Sequence, residues 1–579
     1  MLRRLCALLA TLSLIGGCDE PAPTDSDPSE SQSSAAHSED SSAESAIRFS
    51  AADVSPATEV TPDNGERAGH RAILETLGSG VALADFDGDA WPDLLFGLGG
   101  SLTSDKQIIG GGLRYLRNNR GSGFNDHSAT SGVDLPLLYN HGLYNHGLFA
   151  TDYDQDGFLD VLVTGYGRLL LYHNLGDGSF VECSESSGLI DPLWSTAAAW
   201  GDINGDGADD VYVTNYVDWS FENHPACEGY GGRPDVCSPA NFNAQPDFVF
   251  LSDGAGGFSR ADDIATVPDA GKGLAVLAGD TDLDGDVDFY VANDTTPNLL
   301  FLNDGQGQLR EVGISSGTAF GTRATADGSM GLELADLTLN GRPDLWVTNY
   351  EHQNFALYRN DARGAFQHVS DRVGISAVGT VFVGFGTVAE DFDLDGDEDL
   401  MVANGHVMQE SRNSPLRQEP LLFLNDNGKR FSNVAETAGE YFRSVHRGRG
   451  VVSGDFDGDA KVDLVVTHCN DPAAILRNTS DTSGRLLSIR PVGITGTRVP
   501  VGASARLIRD DQQQLRCLKS GASFLSSTDP TLKFAVPDKQ EFDATLEIIW
   551  SSGVEASYPV QQEGNYVIVE GRPPVRIPR

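Results

Sequence analysis

Seven times the chain repeats one nine-residue pattern, an aspartate-rich loop that runs directly into an apolar segment. The copies are DFDGDAWPD from 85, DYDQDGFLD from 152, DINGDGADD from 202, DTDLDGDVD from 280, DLTLNGRPD from 336, DFDLDGDED from 391 and DFDGDAKVD from 455. Each follows small and apolar residues such as GKGLAVLAG, and each leads into a segment rich in branched and aromatic residues, such as DVYVTNY or DLWVTNY, which favours strands. The spacing, about fifty to eighty residues, is that of propeller blades carrying insertions. A second element alternates with the first in six copies, among them LGDGSFVECSESSG and DGQGQLREVGISSG. After the last Asp loop the chain reads AILRNTS and the second element is missing, whereas a strand-like IRFSAADV stands at 47–54, ahead of the first loop. If that N-terminal strand completes the last repeat, the ring closes with no open edge. The expected fold is all-β: a seven-bladed β-propeller over 47–479 closed by an N-terminal strand, plus a small C-terminal β domain over 480–579.

Crowded like charges repel, so the loops call for either solvent or a cation. Oxygen side chains recur at positions 1, 3, 5 and 9, with glycine at position 4 or 6 for the sharp turn. The proposed ligands are Asp85, Asp87, Asp89 and Asp93; Asp152, Asp154, Asp156 and Asp160; Asp202, Asn204, Asp206 and Asp210; and Asp280, Asp282, Asp284 and Asp288. They continue with Asp336, Asn340 and Asp344; Asp391, Asp393, Asp395 and Asp399; and Asp455, Asp457, Asp459 and Asp463. A hard cation such as Ca²⁺ takes six to eight oxygens, and alternating Asp loops deliver them as the first half of an EF-hand does. The position-9 aspartate replaces the EF-hand glutamate, and the position-7 carbonyl adds a ligand. Asp and Gly also favour plain solvated turns, but seven copies holding four positions argue for Ca²⁺ at up to seven sites. The fifth is the weakest, since Thr338 and Asn340 replace two aspartates.

The formal charge is −44, from 40 basic against 84 acidic residues, which excludes nucleic acid and anionic lipid as partners. The first residues, MLRRLCALLATLSLIGGC, have two arginines, a short apolar stretch and small residues, as a secretory signal does. IGGC resembles a bacterial lipoprotein signal, with Ile15 where leucine is usual. That resemblance implies an acylated Cys18 and a protein lipid-anchored to the cell envelope, periplasmic or at the surface, touching membrane only through that lipid. Residues 19–46, nearly all Ser, Ala, Pro and acid, form a disordered spacer. In that oxidising compartment Cys227 and Cys237, flanking EGYGGRPDV, are expected to pair. Cys183 is expected to be buried in a repeated strand, and Cys469 and Cys517 are left open as a second pair.

The loops resemble the FG-GAP or VCBS-type repeats of integrin α-subunit propellers. Residues 501–553 resemble the ASPIC/UnbV domain, with GASARL, SGASFLS, FAVP and WSSG in the family's order; the last two depart from its FGLG and WPSG. A propeller of such repeats followed by ASPIC/UnbV is similar to the cartilage acidic protein family. The resemblance implies an extracytoplasmic calcium-binding protein with adhesion or recognition roles and supplies no catalytic residues.

The chain's own residues offer no catalytic set either. GISSG at 313–317 fits G-x-S-x-G, but it belongs to the second repeated element, where no helix is expected to follow. His141 and His146 lie in a doubled LYNHG, and His406 follows the sixth repeat; two histidines seldom make a metal site. No zinc spacing and no phosphate loop is present; GLGG and IIGGGL lack the Lys-Ser/Thr that would follow. The expectation is a non-catalytic, surface-tethered recognition or adhesion protein whose loops 101–112, 216–247 and 405–420 face an extracellular protein or polysaccharide. The alternatives are a hydrolase or lyase acting on an extracellular polymer in the central channel, and a purely structural envelope component.

Overall fold

The computed structural model describes residues 47–133, 142–265, 267, 270–539 and 541–578. The expected signal, Cys18, the spacer and His141 lie outside the described residues. Seven antiparallel sheets repeat one four-strand order, and the fourth gains a fifth strand, Ser520–Gly521, on its inner edge. Blades 1 to 7 are numbered by their innermost strands: Val81–Ala84, Asn145–Thr151, Ser195–Gly201, Gly273–Gly279, Ser329–Ala335, Gly384–Glu390 and Gly448–Gly454. In blades 1 to 6 the strands run outward in chain order. Blade 7 takes its outermost strand from Phe49–Ala51, which pairs with Ala474–Asn478 in the register Phe49↔Asn478.

Every innermost strand is buried, Ala150 of blade 2 alone being partly exposed, because its two faces pack on the blades to either side. The apolar clusters are accordingly interblade clusters. Leu277 and Tyr290 of blade 4 pack with Leu332 and Leu345 of blade 5, and Leu83 and Leu94 of blade 1 pack with Val452 and Val465 of blade 7. The last contact joins the end of the ring to its start.

The second repeated element is a short outer strand followed in three blades by one helical turn, at Ser128–Ser131, Ser184–Ser187 and Gly313–Ser316. Each turn ends on a left-handed glycine, Gly132, Gly188 and Gly317. The last of these turns lies within GISSG, where no helix was expected; Ser315 Oγ donates to Val312 O at 3.0 Å. Cys183 caps the second turn rather than lying in a strand, and it is half-buried.

Beyond the ring, Gly484–Val492 and Gly564–Val569 pair in parallel at the centre of one sheet, and Ser504–Arg509 and Ala544–Ile549 lie at the centre of a second. Alternation along Ala544–Ile549 sends Leu546 and Ile548 into a core with Phe534, Trp550 and Ile568. Cys227 and Cys237 are disulfide-bonded, whereas Cys469 and Cys517 are free thiols.

Candidate functional site

Each Asp loop joins an innermost strand to the second strand of its blade, and the position-9 aspartate is the first residue of that second strand. In loops 1 and 3 to 6 position 1 receives backbone N–H groups from positions 5 and 6, whereas Asp152 accepts from Gly157 at position 6 and Asp455 from Gly458 at position 4. Asp280 accepts from Asp284 at 3.1 Å and Gly285 at 3.0 Å, and Asp391 from Asp395 at 3.0 Å and Gly396 at 2.9 Å. Position 5 accepts from the N–H of position 7, as Asp284 does from Asp286 at 3.1 Å. Positions 4 and 6 are left-handed in all seven loops, so both need the freedom assigned above to only one of them. Glycine takes position 6 in five loops; Ala90 and Ala460 hold it in loops 1 and 7. At position 4, Leu283, Leu339 and Leu394 adopt the same backbone without being glycine.

Position 9 ties the blade together. Asp399 accepts from the backbone N–H of Phe392 at 3.1 Å and of Asn425 at 2.9 Å, and Asp288 from Thr281 and Asn303, both at 2.9 Å. In loop 5 the bond to Asp344 comes from Thr338, one residue later than elsewhere.

Six blades carry an asparagine at this point of the third strand: Asn118, Asn174, Asn303, Asn360, Asn425 and Asn478. Its side-chain amide reaches into the preceding Asp loop and donates to the position-2 carbonyl. Asn425 donates to Leu337 O at 3.1 Å, and Asn118 to Phe456 O at 3.0 Å, the latter across the closure of the ring. Blade 3 has Ser252 there, and at that junction Gln155 of loop 2 donates to Gly207 O of loop 3 at 2.6 Å. These asparagines were not singled out from the sequence, although they recur at the end of each third strand.

The residue before each asparagine divides the loops by charge. In loop 1 Arg117 pairs with Asp87 and lies 3.9 Å from Asp89; in loop 7 Arg477 lies 3.1 Å from Asp457. In loop 2 His173 Nδ1 lies 3.2 Å from Asp154 and 3.3 Å from Asp160. In loops 4 and 6 the position is Leu302 and Leu424. There the carboxylate oxygens of Asp280, Asp282 and Asp288, and of Asp391, Asp393 and Asp399, lie within 4.8 Å of one another. Among the described residues no basic side chain pairs with either group, and Asp282 Oδ1 and Asp393 Oδ1 are buried without a donor. Burial first, and the neighbouring carboxylates after it, push Asp280 up to about 7 and Asp393 to about 6, and hold Asp399 well above the usual range. Such a set suits a hard divalent cation bound by oxygen. In loop 3 Asn204 Nδ2 instead donates to Asp206 at 2.9 Å.

The loops face the C-terminal β domain. Arg490 approaches Asp85 at 3.7 Å, and Arg498 approaches Asp152 at 3.9 Å. From that domain residues 520–527 enter the central channel and bond to the innermost strand of every blade. Ser527 O accepts from Leu83 of blade 1 at 2.9 Å, and Leu525 O from Leu148 of blade 2 at 3.2 Å. Ser520 Oγ accepts from Trp200 of blade 3 at 3.0 Å, and Ala522 donates to Val276 of blade 4 at 3.2 Å. Ser523 pairs both ways with Leu332 of blade 5, accepts from Thr387 of blade 6 and donates to Val451 of blade 7. Close approach needs Gly80: a Cβ there would stand 1.6 Å from Leu525 O. Three ion pairs hold the base of this plug: Arg516 with Glu398, both buried, and the partly exposed Lys519 and Lys533 with Glu333 and Glu390. The space left beside them is about 90 Å³.

Of the histidines singled out above, His146 and His406 are engaged in hydrogen bonds within the fold. His146 is fully buried between Gly78 O at 2.9 Å and the Trp194 indole N–H at 2.9 Å. His406 accepts from Met408 N at 2.9 Å, closing its own turn. Of the expected recognition loops, 216–247 and 405–420 meet through Arg233–Glu410 at 2.9 Å and through Asp235, which accepts from Glu410 N at 2.7 Å.

Comparison with known proteins agrees with this layout. A family model described as FG-GAP-like repeat matches residues 152–213, 280–347 and 391–466, and one described as ASPIC and UnbV matches 493–573. Cartilage acidic protein 1 of Mus musculus is 23% identical over 506 residues, 75% of this chain and 74% of the relative. The Homo sapiens protein is 22% identical over 72% of this chain and 70% of its own. Integrin alpha-3 of Cricetulus griseus is 32% identical over 18% of this chain and 10% of that protein. Among solved structures, a lectin of Agrocybe aegerita aligns over 68% of this chain and 87% of its own at 17% identity and a TM-score of 0.40.

Proposed function

The chain is a cartilage acidic protein 1-like assembly of FG-GAP-like repeats and an ASPIC and UnbV domain, and on that premise we propose that it is a calcium-binding recognition or adhesion protein outside the cytoplasm, held to a surface by lipid on Cys18. The observation that carries the reading is the pair of loops at 280–288 and 391–399, where buried and half-buried carboxylates converge and no ion pair among the described residues reaches them, Arg516 acting on Asp391 only at longer range. Asp280, Asp282, Asp284 and Asp288, with Asp391, Asp393, Asp395 and Asp399, would hold the ions, each ion supplying charge neutralisation to its loop. Loops 1 and 7, which carry their own arginine, and loop 5 rank below them. The recognition surface is the face built from 101–112, 216–247 and 405–420, which take an extracellular protein or polysaccharide ligand.

A catalytic channel has less support. The space in which a hydrolase or lyase would hold a polymer is filled by residues 520–527, and no helix among the described residues is long and apolar enough to cross a membrane. The test is a set of thermal melts of the full chain in millimolar calcium, in magnesium and in chelator. A site saturated a hundredfold above its Kd adds about 2.7 kcal/mol, so a large calcium-selective rise is expected. Coincident melts would overturn the reading.

A further inference from the structure

At the end of the ring opposite the Asp loops the structure carries a second site that the calcium reading does not use. A cavity of about 550 Å³ opens where the innermost strands of blades 4, 5 and 6 begin, and Leu274, Met330 and Phe385 form its apolar wall. Its floor is rigid. The Phe385 ring meets Phe524 of the plug edge-on, 4.9 Å between centroids, and the Cys227–Cys237 disulfide closes one side. Tyr216 and Tyr350 add aromatic surface.

The charged side chains in the lining of this cavity are all carboxylates, set among neutral polar groups such as Asn241 and Gln353. Asp294 lines it and accepts from the Tyr216 hydroxyl at 2.6 Å. Glu351 lines it beside His406, 3.4 Å away, and accepts from Ser414 at 2.7 Å. Glu228 is a third carboxylate in the lining. The ammonium of Lys272 donates to Pro239 O at 2.8 Å, on the cavity lining, and lies near enough to Asp294 to offset part of its charge. His406 is fully buried, and burial lowers its pKa, which keeps it neutral.

From this geometry we propose that the cavity binds a small organic cation with an apolar body, its charge seated between Asp294 and Glu351 and its body against Phe385 and Met330. Three lining carboxylates exceed the cations beside them, Lys272 near Asp294 and the Arg449 guanidinium 3.8 Å from the Phe385 ring centre. Such an excess attracts positive charge, to which the Tyr216 and Tyr350 faces add when water is excluded. A neutral molecule of the same shape would gain only the apolar contacts, and an anion would be repelled. The site stands independently of the metal loops, so it holds whether or not those loops take calcium.

The test titrates the full chain, in millimolar calcium so that the Asp loops do not collect the probe, with phenethylammonium, 2-phenylethanol and 3-phenylpropanoate by calorimetry. The cation is expected to bind at least about tenfold more tightly than the alcohol, with no binding of the carboxylate. Asp294→Asn and Glu351→Gln should each weaken the cation several-fold and leave the alcohol unchanged. Met330→Trp, which fills the cavity, should abolish both while the thermal melt stays cooperative. Equal binding of cation and alcohol, no cation binding at millimolar concentration, or cation binding that survives both Asp294→Asn and Met330→Trp would overturn the proposal.

Discussion

Replacing Asn425 by alanine should loosen the junction between blades 5 and 6 far more than the loss of one surface amide. The side chain is buried, and its amide donates to Leu337 O at 3.1 Å and Glu398 O at 3.0 Å while its oxygen accepts from Gly428 N at 3.0 Å. Truncation leaves three main-chain groups to find new partners. A buried polar group left unpaired costs about 1–3 kcal/mol, so the lower bound for three is about 3 kcal/mol. Asn425→Asp keeps the shape but turns the donor into an acceptor aimed at two carbonyls, and should cost at least as much. The assay is urea unfolding in saturating calcium followed by tryptophan fluorescence, which Trp346 in the blade 5–6 core reports. A loss below about 1 kcal/mol would refute the reasoning, because it would mean that the amide bonds are matched by water at no cost.

Three more outcomes follow from the site. In chelator, the native carboxyls of Asp280 and Asp393, raised to about 7 and about 6, bind more protons than their unfolded counterparts between about pH 4 and 7. Stability of the metal-free protein should therefore fall as pH rises through that window, and calcium should flatten the trend; melts at pH 5 and 7.5 with and without chelator decide this. Lys519→Met strands the buried Glu333 and should cost about 3–5 kcal/mol, most of it recovered by adding Glu333→Met, as denaturation of the single and double variants will show. Arg117→Leu with Arg490→Leu removes both guanidinium groups beside loop 1, makes it resemble loops 4 and 6, and should add one bound calcium per chain in equilibrium dialysis; unchanged stoichiometry would mean that the arginines do not compete with the ion.

The ring itself was legible because its signals are local and repeated. DVYVTNY after each Asp loop reads as a strand, and the mismatch between the repeat counts pointed to Phe49–Ala51 as the missing edge of blade 7. The division among the loops was hidden for the opposite reason. Arg117 lies about thirty residues, and His173 and Leu302 about twenty, downstream of the aspartates they face, and only pairing of the second and third strands brings them there. The plug was out of reach altogether: SGASFLSS reads as a polar turn, and its serines find their partners on seven strands scattered over some 370 residues of chain. The cavity below Tyr350 likewise draws its walls from three blades and a disulfide loop, none of which announces the others.

The way this ring is fastened also sets the order of events in its folding. Phe49 leads the described chain and waits for Asn478, so blade 7 cannot form its last strand pair until almost all of the propeller has been made. The segment that bonds to all seven innermost strands comes later still. Contacts of such long range are slow to form, because the loop they close is costly before they reward it. Partly made chains therefore hold sticky strand edges open at the first and last blades and along the channel, a period in which misassembly competes with closure. Completion waits on two segments far apart in the chain, the first acting at the rim of the ring and the second at its axis.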